Sequence, residues 1–200
     1  MTTRQRNVAI FIFDNVEVLD FTGPFEVFAV CGADRDPRPF NVYTVSLDGK
    51  TVSARNGLSV NPAYSVENMP PPAILVIPGG RGTRPLVGNE AVRNLIRTQQ
   101  PRVEQLLSVC TGAMLLADAG VLHNLAATTY HTNFDQLQEI EPTVTLKPGE
   151  RWVDNGQIVT SAGVSAGIDM SLYVISKLFD QETADATARY MEYEHWPLKA

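Results

Sequence analysis

The sequence predicts an α/β fold, a mostly parallel sheet with helices on both faces, from three observations. Short apolar runs bounded by turn residues recur along the chain, helical stretches fall between several of them, and one run ends at a cysteine where a helix begins.

The runs lie at Val8 to Phe13, Phe40 to Leu47, Ala73 to Ile77 and Gln105 to Val109. Each has the length of a strand buried on both faces, as a parallel sheet requires. Asn89 to Gln100 sets Val92, Leu95 and Ile96 at helical spacing, and Thr111 to Ala119 reads as a helix closed by Gly120, a residue suited to a C-terminal cap. Trp152 to Asp154 and Gln157 to Thr160 flank Asn155-Gly156, which accommodates the positive backbone angles of a tight turn, so this pair is expected to be an antiparallel hairpin. From Gly163 to Tyr193 the pattern is two helices meeting at Asp180, whose carboxylate can accept from the first free amides of the second. Pro70-Pro71-Pro72 is stiff but leads straight into a strand, so it reads as a loop. With no repeat and no low-complexity linker, residues 1–200 are read as one domain.

Composition narrows the functional classes. Two hundred residues with 44% apolar content suit one core. Sixteen Lys and Arg against 22 Asp and Glu leave a formal charge of -6, a field that repels phosphate backbones and anionic lipid, so neither nucleic acid nor membrane is an expected partner. The first residues lack the apolar stretch of a secretion signal and no run reaches the roughly 18 residues of a membrane span, so a cytoplasmic location is expected. Cys31 and Cys110 read as free thiols. His123, His131 and His195 form no pair at metal-ligand spacing, so no metal is expected, and His131 reads as a cap or surface residue.

The strongest local signal is Leu106 to Leu116, a buried strand running into an apolar helix with Cys110 at the junction. Such a residue sits above the carboxyl edge of a parallel sheet, where ligands bind, and faces the positive end of a helix. A thiol there is expected to have a lowered pKa and to act as a nucleophile, with Gly112 permitting close approach. The bland alternative is a small buried hydrophobe. Asp20, between Leu19 and Phe21, has two readings: a buried carboxyl with a raised pKa that carries a proton at neutral pH, or a helix cap before Thr22-Gly23-Pro24. Gly79 and Gly80, after the third strand, are expected to turn backbone amides toward a cleft, although glycines there often just make a turn. The segment lacks the spacing and lysine of a phosphate loop.

Asp20-Phe21-Thr22-Gly23-Pro24, Ile77-Pro78-Gly79-Gly80, Ser108-Val109-Cys110-Thr111-Gly112, Ala127-Thr128-Thr129 and Thr160-Ser161-Ala162-Gly163 occur in the order and spacing of the ThiJ/PfpI superfamily, the class I glutamine amidotransferase-like fold. The chain resembles that superfamily over nearly its whole length, nearest to isocyanide hydratases and to the amidase-like domain of AraC-type regulators. The resemblance implies a flavodoxin-like three-layer sandwich, a homodimer with the nucleophile near the subunit interface, and no metal or organic cofactor. It also implies that Thr111, in place of the histidine that follows the cysteine of protease-like members, argues against peptide hydrolysis. Glu194-His195-Trp196 does not supply the His-x-Glu pair of true glutamine amidotransferases. Many hydratases read Thr-Thr-His-Trp where this chain has Thr128-Thr129-Tyr130-His131, so the role of that histidine is not carried over.

The expected activity is hydration of a small isocyanide to an N-substituted formamide. Cys110 attacks the terminal carbon, Asp20 supplies a proton to nitrogen and then activates water, and Thr111 holds that water or the carboxyl through its hydroxyl. Gly79, Gly80 and Gly112 are the expected substrate-binding positions. The alternatives are a non-catalytic ligand- or redox-sensing module and glyoxalase or deglycase-like action on 2-oxoaldehydes.

Overall fold

The structure, a computed structural model, describes residues 5–194 and residue 196. A seven-stranded sheet forms its centre. In chain order its strands are β1 (Arg6–Phe11), β2 (Phe40–Ser46), β3 (Tyr64–Ser65), β4 (Ile74–Ile77), β5 (Gln105–Val109), β6 (Trp152–Asp154) and β7 (Ile158–Ser161). Across the sheet they run β6-β7-β5-β4-β1-β2-β3, all parallel except the β6–β7 hairpin. β4 and β5 are buried at every position, as strands covered on both faces must be.

The helices are α1 (Val18–Val30), α2 (Glu90–Gln99), α3 (Gly112–Asp118), α4 (Phe134–Ile140), α5 (Ala166–Leu178) and α6 (Gln181–Tyr190). α1, α5 and α6 pack together, and α2, α3 and α4 form a second group, which gives the layered α/β architecture that the apolar runs predict. Asn89 caps α2 through the Ala91 and Val92 amides, and Asp180 caps α6 through Thr183 at 2.7 Å. Among the described residues no helix is long and apolar enough to cross a membrane.

α1 is where local sequence misleads. Gly23-Pro24 reads as the start of a helix, yet the helix begins at Val18 and runs through both residues. Asp20 is therefore in the first turn rather than at a cap; the residue preceding the helix is Glu17. Packing against α5 overrides the local preference, with Gly23 close against Ile168.

Strand order places the site. From β1 the chain crosses to β2 on one side and returns to β4 on the other, so the loops after β1 and β4 part at the edge of the sheet where ligands bind in such folds. Here those loops are stitched together: Glu17 N–H donates to the Gly79 carbonyl at 2.9 Å and Gly82 N–H to the Asn15 carbonyl at 3.2 Å.

Candidate active site

Cys110 stands between β5 and α3 with φ of 58°, a left-handed backbone that residues other than glycine seldom adopt. Both of its backbone groups are held. Its N–H points to the Ser161 and Ala162 carbonyls at 3.1 and 3.2 Å, and its carbonyl accepts from the Thr129 hydroxyl at 2.9 Å. The sharp turn expected from the strand-Cys-Thr-Gly-helix pattern is present, and the cysteine is 5% exposed.

Asp20 is fully buried. One carboxyl oxygen accepts from the Gly79 amide at 3.1 Å, the other from the Val164 amide at 3.2 Å, and the group also hydrogen-bonds to the Cys110 thiol. Val164 reaches it from a φ of 54°, a strained conformation for a β-branched residue, which marks the segment between β7 and α5 as a second constrained part of the site.

Burial pushes the Asp20 carboxyl up to about 7; hydrogen bonds from Cys110 and Gly79 pull it down, Glu17 adds to the rise, and Val164 lowers it. Burial also pushes the Cys110 thiol up, reinforced by the charge of Asp20, and outweighs the lowering contacts from Thr111. This corrects the expectation of a thiol lowered by a helix terminus: desolvation of a nearly enclosed sulfur wins over a short helix. Two touching acids that are both raised lose their protons as a pair. The first leaves near pH 7 and the second is held far above neutrality. Whenever Asp20 keeps the remaining proton, its charge no longer opposes the thiolate and its O–H can donate to sulfur. Alkylation of Cys110 should therefore rise as pH approaches about 7 and level off above it. A midpoint near the ordinary thiol value of about 8.5 would show that the two acids are not coupled.

Thr111 does not hold the carboxyl, one of the two roles expected of it. Its hydroxyl accepts from the Gly80 amide at 2.9 Å and lies 3.1 Å from the Thr83 hydroxyl, and its amide and hydroxyl contact the Cys110 sulfur. It joins the nucleophile to the loop after β4 instead of holding the carboxyl. The glycines also differ from expectation. The Gly79 amide is taken by Asp20 and the Gly80 amide by Thr111, so neither is free to face a reacting group. Only Gly80 lines the cleft. Gly79 and Gly112 act by lacking a side chain: a Cβ on Gly79 would lie 2.5 Å from the Thr111 nitrogen and 2.8 Å from an Asp20 oxygen, and one on Gly112 would lie 2.0 Å from the Ile77 carbonyl oxygen.

A cleft of about 250 Å³ opens onto Cys110, Thr111 and Gly80. Its wall also includes Glu17, Arg55, Arg81, Arg84, Tyr130 and Val164, none of which sequence reasoning selects as a site residue. Arg81 and Arg84 directly follow the glycine segment, and that adjacency is the available signal. Arg55 has none, because loop pairing brings it in: its N–H donates to the Val16 carbonyl at 2.9 Å and its Nε lies 3.6 Å from the Glu17 carboxylate. Tyr130 packs against Gly163, while His131 is exposed, as its surface reading requires. His195 lies outside the described residues. Among the described residues, no group of three or more His, Cys, Asp or Glu is placed to hold a metal ion.

Comparison with known proteins matches the DJ-1/PfpI family over residues 6–177. The chain is 32% identical over 191 residues to an isonitrile hydratase of Pseudomonas putida, an alignment covering 95% of this chain and 79% of that protein. It is 26% identical over 189 residues to the HTH-type transcriptional regulator GbdR of Pseudomonas aeruginosa, covering 94% of this chain but 51% of the regulator, so the chain spans about half of that protein's length. A crystal structure of a ThiJ/PfpI family protein from Pseudomonas syringae superposes with a TM-score of 0.86 at 25% identity, covering 98% of this chain and 78% of that one.

Proposed function

We propose that this chain, which belongs to the DJ-1/PfpI family, is a cysteine-dependent enzyme that hydrates a small isocyanide to an N-substituted formamide. The observation that carries the reading is the buried carboxyl of Asp20 hydrogen-bonded to the Cys110 thiol, with its pKa raised to about 7. A nucleophile and a proton carrier in contact are what addition across an isocyanide carbon requires.

The thiolate of Cys110 attacks the terminal carbon and forms the C–S bond. The carbanion so created needs its proton at carbon, ahead of the nitrogen proton expected from the sequence, and Asp20 gives it to leave a thioformimidate. The Asp20 carboxylate then takes a proton from water as the hydroxyl adds to that carbon, and passes it to nitrogen. Collapse of the tetrahedral species returns the hydroxyl proton to Asp20, forms the carbonyl and expels the thiolate. One isocyanide and one water become one formamide, and the pair ends as it began.

The chemical test is conversion of a panel of small isocyanides followed by proton NMR of the formamide. Turnover by the wild-type protein and its loss in Cys110→Ser are expected, because an alcohol in this setting does not ionise. Unconsumed isocyanides, or an undiminished rate in Cys110→Ser, would sink the proposal. The likeness to GbdR favours a second reading, a ligand-sensing domain, and saturable binding of an isocyanide without turnover would favour it.

A further inference from the structure

The protein has a formal charge of -6, yet the lining of its cleft carries Arg55, Arg81 and Arg84 against the single carboxylate of Glu17. Adding one negative charge for the ionised Cys110–Asp20 pair, the lining holds three positive and two negative charges and keeps a positive excess. Arg55 is accounted for in part. Its Nε, 3.6 Å from Glu17, is buried and makes no hydrogen bond.

Arg81 and Arg84 are more telling. They lie in a 3-10 turn spanning Arg81–Leu86, where residues three apart fall on the same side, and both line the cleft. Both residues are exposed, and among the described residues neither has an ion-pair partner. Like charges at this spacing repel, at a cost that an anion between them removes. The 3-10 turn starts beside Gly80, whose amide binds Thr111, so it is tied to the residue that touches the sulfur. An arginine fork matches a carboxylate in shape as well as charge.

We infer that the molecule presented to Cys110 is an anion, a small compound bearing a carboxylate that Arg81 and Arg84 receive while its reactive carbon meets the sulfur. For an isocyanide this rests on the hydratase reading above; the preference for anions at Cys110 does not. The cleft volume of about 250 Å³ falls below the roughly 300–1,000 Å³ typical of pockets for larger ligands, in keeping with a compact molecule.

Two measurements separate the claims. In the first, Cys110 is alkylated by iodoacetate and by iodoacetamide, which deliver similar groups with and without a charge, and labelling at Cys110 is followed by peptide mass spectrometry. The ratio of the two rates is expected to exceed that of a free thiol by roughly tenfold at low salt, to fall as salt is added, and to return toward the free-thiol value in Arg81→Gln/Arg84→Gln. A wild-type ratio equal to that of a free thiol would overturn the inference, and so would a raised ratio unaffected by the double substitution. In the second, isocyanoacetate is compared with its methyl ester. A kcat/KM roughly tenfold or more higher for the carboxylate, lost in the double variant, supports the inference. Equal values for the two overturn it and leave the hydratase reading intact. No turnover of either, alongside a raised alkylation ratio, retires the hydratase reading and keeps the anion site.

Discussion

Asp20→Asn is expected to lower isocyanide turnover by roughly 10²- to 10⁴-fold, the usual contribution of a positioned acid-base group, while Cys110 remains open to alkylation. Asparagine keeps the shape of the side chain and can still accept from the Gly79 or Val164 amide, but it cannot deliver a proton to carbon or take one from water. Pre-steady-state trapping should show a slowed first addition, with little thioformimidate accumulating. Full turnover in this variant would eliminate the proton relay.

The same variant has a thermodynamic signature. Because the folded-state pKa of Asp20 is raised from 3.8 to about 7, the folded protein binds more protons at this site than the unfolded chain between those values. The resulting stability is fully present below about pH 4 and is lost as pH rises through about 7, on the order of 4 kcal/mol at most. An asparagine side chain does not titrate, so urea melts of Asp20→Asn should show a flatter dependence across that window and greater stability than the wild type at about pH 8. Parallel stability curves for the two proteins would mean that Asp20 is not raised in the folded state.

Gly112→Ala is expected to harm the fold severely. Its new methyl would stand 2.0 Å from the Ile77 carbonyl oxygen, 2.9 Å from the Ile77 carbonyl carbon and 3.0 Å from the Pro78 oxygen, all of them backbone. Ile77 cannot retreat easily, since it is in register with Ser108 at the paired ends of β4 and β5. The cost should reach or exceed the upper end of the roughly 1–3 kcal/mol typical of overpacking, measured as a lowered urea midpoint with unchanged m-value. Gly120→Ala is the control. Its methyl meets nothing within 4 Å, so only the backbone strain at φ of 78° remains, about 1–2 kcal/mol. Similar losses in the two variants would show that crowding against Ile77 is not what requires glycine at 112.

The central strands are legible because burial on both faces leaves a simple trace, a short unbroken apolar run. Gln105–Val109 appears in the structure with the bounds read from sequence. Asn155-Gly156 and Asp180 are legible because their signals are local, a turn preference and a carboxylate three residues before the amide it accepts. α1 is not, since Gly23-Pro24 argues locally for a different start and contacts with a distant helix decide the outcome. The same limit explains the site. Cys110 advertises itself by lying at a strand-to-helix junction, whereas Arg55 arrives through pairing between loops and leaves no pattern in its own neighbourhood. The direction of the thiol pKa escapes the sequence because a helix terminus can be inferred from it, while the desolvation that outweighs the terminus depends on everything packed around the sulfur.

The amides that hold Asp20 come from residues 59 and 144 positions further along the chain. Contacts of such separation require large loops to close before they yield any stabilisation, and they form slowly for that reason. In the unfolded chain Asp20 is an ordinary acid and Cys110 an ordinary thiol. The protein thus carries its own gauge of completed folding: during refolding, coupled titration at Cys110 should emerge only once Asp20, Gly79, Cys110 and Val164 have been brought together.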